Sequence, residues 1–150
     1  MAESVLELIV QSVQDTVHAV EGVTCRRQLR SDDRALADKT VIIQQADAQV
    51  NEALSLPGNP RRVAWDQAIE LAIYRRRPET TDQAADRGLN ATESEVTAAV
   101  MADPQLGGLA LDTALASAAT IDEPEGRWAL RILTLIVTYR VREDDPTTGG

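Results

Sequence analysis

The run at residues 127–142, RWALRILTLIVTYRVR, constrains this chain more than any other stretch. It is dense in β-branched and aromatic side chains and holds neither Gly nor Pro, which suits a strand with neighbours on both sides. In its second half Leu133, Leu135, Val137, Tyr139 and Val141 share one face, while Thr134, Ile136, Thr138 and Arg140 share the other. This predicts a central strand with one face in the core and the other partly wet. Residues 109–121 supply a partner strand, and Asp122-Glu123-Pro124-Glu125-Gly126 supplies the turn of a β-hairpin.

Such a strand needs a sheet and a cover, and the chain length suffices for one domain. At 150 residues it can bury roughly two-thirds of its unfolded surface without a metal or disulfide. Phe is absent and aromatics make up 3%, so the core must be aliphatic, with Trp65 and Trp128 as its largest expected pieces. One cysteine, Cys25, allows no internal disulfide and points to a reducing compartment. A net charge of -9 argues against binding nucleic acid by broad phosphate neutralisation. No apolar run is long enough to span a membrane, and Glu3 and Glu7 break any leader-like stretch, so a cytoplasmic place of synthesis is expected.

The remaining elements follow from periodicity. Residues 4–20 read as an amphipathic helix that Ser4 caps, with Val5, Leu8, Ile9, Val13, Thr16, Val17 and Val20 on one side and Gly22 just beyond. Residues 24–39 are charged and irregular, consistent with a short edge strand and a loop. Residues 40–50 alternate as a strand, and Leu56-Pro57-Gly58-Asn59-Pro60 breaks it. Residues 61–77 fit both periods. The strand reading puts Val63, Trp65, Ile69, Leu71 and Ile73 on one face, and the helix reading uses Asn59 as a cap and Pro60 at the first position. The longer alternation and the stop at Arg75-Arg76-Arg77-Pro78 favour the strand. Residues 80–103 turn helical with an interruption near Gly88, and Gly107-Gly108 lets the backbone turn into the hairpin. The sum is an α+β domain at residues 1–142, with a mostly antiparallel sheet of about four strands, two main helices packed on it, and a flexible polar tail at 143–150.

Signs of catalysis are sparse. One His and one Cys, His18 and Cys25, cannot assemble a zinc site of either usual kind within the chain. His18 falls on the polar face of the first helix, where a solvated role is expected. Arg26 and Arg27 beside Cys25 would lower its thiol pKa, but no partner base is visible. Neither a phosphate-binding loop nor a dinucleotide fingerprint occurs, and the many carboxylates show no distinctive spacing. No cofactor or metal is expected, and no enzymatic role. Arg75, Arg76 and Arg77 form a compact positive cluster, a candidate partner interface on an acidic chain. Long strands with exposed edges offer a second means of association between copies.

Two short patterns bring a family into view. A helix closes in Asp103-Pro104-Gln105-Leu106-Gly107-Gly108-Leu109 and leads into a strand, and the final strand finishes Val137-Thr138-Tyr139-Arg140-Val141-Arg142 before Asp145-Pro146. With the order of elements along the whole chain, this resembles the tail terminator (minor tail or tail-completion) proteins of long-tailed bacteriophages. The resemblance implies a structural protein that forms a homo-oligomeric, typically hexameric, ring on the tail tube, ends tube growth, and faces the head-completion or neck protein. It also implies a place at the head-proximal end of the virion tail after assembly in the host cytoplasm. Asp103, Pro104, Leu106, Gly107 and Gly108 would then form the turn that positions the hairpin. The irregular 24–39 stretch and the Ala-rich long strand depart from the pattern. A head-to-tail connector, or a small-molecule binding or regulatory domain, are the other readings compatible with these residues.

Overall fold

A computed structural model describes residues 2–27, 38–76, 82–121 and 128–149, apart from the side chains of 82–85. Arg77, the turn at 122–126 and most of the irregular 24–39 stretch lie outside these residues. In chain order the elements are α1 (Val5–His18), β1 (Thr24–Arg27), β2 (Thr40–Val50), β3 (Arg62–Arg76), α2 (Asp82–Met101), β4 (Asp112–Ile121), β5 (Trp128–Arg142) and β6 (Asp145–Gly149). The ambiguous stretch is a strand, and β5 is central as its pattern requires.

All six strands form one sheet in the order β1-β2-β3-β5-β4, with β6 also paired to β5. About four strands were expected. The two strands beyond the main four are short, and β1 falls in the stretch read as a short edge strand and a loop. β1 pairs in parallel with residues 40–43 of β2, and β6 returns along the end of β5, pairing at Val141 and Arg142. The segment anticipated as a polar arm is therefore a strand, because Asp144 pairs with Arg142 and Asp145 gathers the Thr147 and Thr148 hydroxyls at 2.6 and 2.8 Å, closing a tight reversal. The other pairings are antiparallel, and β3 and β5 stay in register from Arg62 opposite Arg142 to Arg76 opposite Trp128.

Both helices lie on one face of the sheet. α1 packs on β1, β2 and β6, α2 packs on β3 and β5, and the helices touch each other. Ser4 caps α1 by accepting from the Glu7 N–H at 3.1 Å. Val5, Ile9, Val10, Val13 and Val17 are buried along it. α2 inserts Leu89, Thr92, Val96 and Val100, at spacings of one helical turn. They meet Val41, Ile43, Ile69, Leu71, Ile73, Leu133, Leu135 and Val137 in a single aliphatic core. Trp65 and Trp128 are not its central pieces. Both are half-buried at the margin, since an indole keeps an N–H that a purely aliphatic core leaves without a partner. Among the described helices, none is long and apolar enough to cross a membrane.

α2 runs unbroken through Gly88, where an interruption was expected. The Arg75 guanidinium from β3 lies against the glycine, and Arg75 Nη1 donates to the Gly88 carbonyl at 3.0 Å. A Cβ at this position would sit 3.5 Å from that guanidinium, an ordinary contact. Gly88→Ala should therefore stabilise the protein by about 0.5–1 kcal/mol through helix propensity. Chemical denaturation checks this, and a lower midpoint would mean that Arg75 needs the open space.

Candidate interaction surface

Of the three residues anticipated as a basic cluster, Arg77 lies outside the described residues, and Arg75 and Arg76 sit in different environments. Arg75 is committed inside the molecule. Its Nε donates to Asp38 Oδ1 at 3.1 Å, and its Nη1 donates to the buried Thr92 hydroxyl at 2.8 Å as well as to Gly88. Asp38 also accepts the backbone N–H of Arg76 at 2.9 Å. Burial pushes the Asp38 carboxyl up, but the Arg76 N–H and the Arg75 guanidinium outweigh it and hold the group below the usual carboxylate range. Arg76 is exposed and lies 5.6 Å from the centre of the Trp128 ring, which packs edge-on against Tyr74. Thus Arg75 ties β3 to α2 and to the start of β2, and Arg76 is left to face outward.

The turn that leads into β4 is built from backbone geometry. Leu106, Gly107 and Gly108 have φ of 51, 68 and 94°, three left-handed residues in succession. Glycine tolerates this readily and leucine does not. Leu106 is held there by burial of its side chain and by its N–H to the Asp103 carbonyl at 3.1 Å. Asp103 Oδ2 accepts the Gly107 N–H at 2.7 Å, and the Pro104 carbonyl accepts from the Thr113 hydroxyl at 2.8 Å. No atom lies within 4 Å of a Cβ built on Gly107 or Gly108, so conformation and not space requires glycine there. Of the expected turn residues, all five are brought together, and they aim the chain along the outer side of β5.

Past that turn the sheet is bare. β4 is exposed along its whole length except at Thr113. Leu115 pairs across the sheet with Leu135, yet Leu135 is 1% exposed and Leu115 46%. The helices stop one strand short. Arg131 links the two regions by pairing with Glu93 of α2 and donating to the Thr120 hydroxyl at 2.8 Å. β4 carries a bulge between Leu115 and Ser117, and β2 carries one between Gln45 and Ala48. Periodicity did not single out β4 as a surface. The signal that was available is composition: from 113 to 121 the chain holds no charged residue and no proline, which is unusual for an exposed stretch of this acidic protein.

The opposite face of the sheet has no helix on it. There Asp66 accepts the Thr138 hydroxyl at 2.6 Å and the Asn51 amide at 3.2 Å, joining β3, β5 and the turn after β2. A shallow cleft of about 270 Å³ lies where β4 and β6 leave a gap along β5, lined by Val5, Leu8, Leu109, Leu111, Arg140 and Thr147. Among the described residues no group of three or more His, Cys, Asp and Glu side chains is placed to hold a metal ion.

His18 and Cys25 do meet, in a structural role. His18 is exposed as expected, and its Nδ1 accepts the Cys25 backbone N–H at 3.2 Å. The thiol is buried, and burial together with the negative charge of Asp15 pushes its pKa up to about 12. This reverses the expectation that Arg26 and Arg27 would lower it. Both arginines are exposed, and Arg27 pairs with Glu7 of α1.

Two outcomes follow from these environments. Arg75→Ala should cost about 2 kcal/mol, because it removes charge-assisted bonds and takes one partner from each of Thr92 and Asp38; an unchanged melting temperature would contradict the network. The folded state holds the Cys25 proton more tightly than the unfolded state, so its contribution is complete below the free thiol range near about 8.5. It is lost as pH rises toward about 12. Thermal melts from neutral to alkaline pH should therefore fall more steeply for the natural chain than for Cys25→Ala.

No protein-family model matches the sequence, and a comparison with curated proteins finds no relative. Among solved structures the chain is similar to one from the virion of a native gene transfer agent particle, with 10% identity over 92% of each chain and a TM-score of 0.44. It is also similar to the sheath/tube terminator, in the extended state, of the extracellular contractile injection system PVC. That match has 12% identity, covers 97% of this chain and 60% of the other, and has a TM-score of 0.48. At identities of 10% and 12% both likenesses concern the fold.

Proposed function

We propose that this chain is a tail terminator: a structural subunit that assembles as a homohexameric ring on the last ring of a tail tube. There it ends tube polymerisation and presents its other side to the head-completion or neck protein. The observation that carries the reading is the uncovered β4 side of the sheet, where Leu115 is 46% and Ile121 39% exposed on a strand without charges between 113 and 121. A monomer gains nothing from such an edge, and natural proteins ordinarily blunt one with charge, proline or a covering loop.

Further support comes from how the residues behind the family resemblance are used. The Asp103 to Leu109 turn spends three left-handed residues on delivering β4 to that position. Strain of the kind Leu106 carries there persists where the placement it achieves is needed. The closing strand, with Tyr139 inward and Arg140 toward the helix-free face, forms the platform on which β4 rests. On this reading the protein acts by shape and association and uses no cofactor. It is made in the host cytoplasm and ends at the head-proximal end of the virion tail. A head-to-tail connector would use the same kind of ring, and a tube-binding experiment separates the two.

Purified protein mixed with tail tubes and viewed by negative stain should appear as a cap at one tube end and should stop further tube growth. Rings that ignore tubes but bind the neck protein would assign the chain to the connector instead.

A further inference from the structure

We propose that copies of this chain join by main-chain strand pairing, the outer edge of β4 in one copy adding to the open edge of β2 at residues 44–50 in the next. The inference rests on the ring reading above and names the backbone that forms its seam.

Among the described residues two edges of the sheet are open, and they match. β1 covers β2 only at residues 40–43, so β2 continues past it from 44 to 50 with Asp47 as its one charge. Beyond Ile43 those residues are exposed, apart from the half-buried Ala46. On the other side β4 is the last strand of the sheet. Neither edge bears the lysines or prolines that keep edges apart, and each has the length of an ordinary strand.

Direction and level also agree. β2, β3, β5 and β4 each run antiparallel to the next, so β2 and β5 point one way and β3 and β4 the other. Rotation about an axis close to the strand direction preserves those directions. β4 therefore meets the neighbouring β2 antiparallel, as a regular ladder requires. Following the pairing across the sheet, Ser117, Thr134, Glu70 and Gln44 share one row, and Leu115, Leu135, Ile69 and Gln45 share another. The open part of β2 is thus level with the first half of β4 in a cyclic assembly. Asp112 falls in the row of Gln49, and Asp47 sits within the β2 bulge, so the seam sets no two acids opposite each other.

Pairing of β4 with β4 across a two-fold axis is also antiparallel. It would close as a dimer and leave β2 open, whereas head-to-tail pairing uses both edges and generates a ring. A seam of this kind also sets the exposed Leu115 and Val50 at the contact between copies.

Cysteine cross-linking tests the seam, since the single natural thiol is buried and does not compete. The double variants Ser117→Cys with Gln44→Cys, and Leu115→Cys with Gln45→Cys, should give a ladder of covalent oligomers on mild oxidation, and each single variant should give almost none. Strong dimer from Ser117→Cys alone would replace the proposal with β4–β4 pairing. Rings seen by light scattering without any ladder would overturn the seam and leave the ring reading standing, whereas a monomer at all concentrations would overturn both. As a second measurement, Leu115→Lys with Ala119→Lys should keep the melting temperature, because both sites are exposed, and leave the protein monomeric where the natural chain assembles. Assembly undiminished in that variant would also overturn the seam.

Discussion

The pairing of β3 with β5 is the interaction on which everything else rests. These two strands stay in unbroken register over their whole length, and β2, β4, β6 and α2 each contact one of them directly. One face of the pair carries Ile69, Leu71, Ile73, Leu133, Leu135 and Val137, all buried. Each such aliphatic side chain contributes about 1.5–3 kcal/mol on burial, so a one-residue slip would turn the whole set toward the helix-free face and could not be tolerated. The register is therefore as strongly specified as any feature of the fold. Asp66, bonded to Thr138 on the reverse face, adds a polar pin at a matching row.

From that pair the two sides of the sheet develop differently. On the β2 side the cover reaches residues 40–43, and Arg75 locks the arrangement by reaching α2 and Asp38 at once. On the β4 side the cover ends, and the strand is placed by a left-handed turn and held by the Arg131 link to Glu93 and Thr120. The helix cover thus reaches residues 40–43 of β2 and fails at β4, and both margins keep an exposed stretch of strand among the described residues. The arginines are unequal as well. Arg75 is consumed by internal contacts, whereas Arg76 beside it stays exposed.

The hairpin, the strand character of 62–76 and the apolar stripe of α1 were legible from spacing, because a buried face imposes its period on the chain. Three local signals were misleading. Gly88 looked like a helix breaker, but a helix already held by Leu89, Val96 and Val100 tolerates one glycine, and Arg75 uses the space. Cys25 looked activated by its basic neighbours, but adjacent residues on a strand point to opposite faces, and burial governs the thiol. The tail looked too polar to pair, yet Asp145 with two threonines builds its own reversal.

The sequence by itself determined the class of fold, the central strand, the helix faces and the glycine turn. Each of these is a local demand of periodicity or backbone conformation, felt within a few residues. Only the tertiary structure decided which arginines are spent, which strand stands at the margin, and how far the helices reach across the sheet. Those depend on contacts between residues far apart in the chain, such as Arg75 with Asp38 and Thr92, and no local pattern records them. The open β4 edge belongs to both: its uncharged composition is written in the chain, and its exposure arises only because α1 and α2 end their cover at β5.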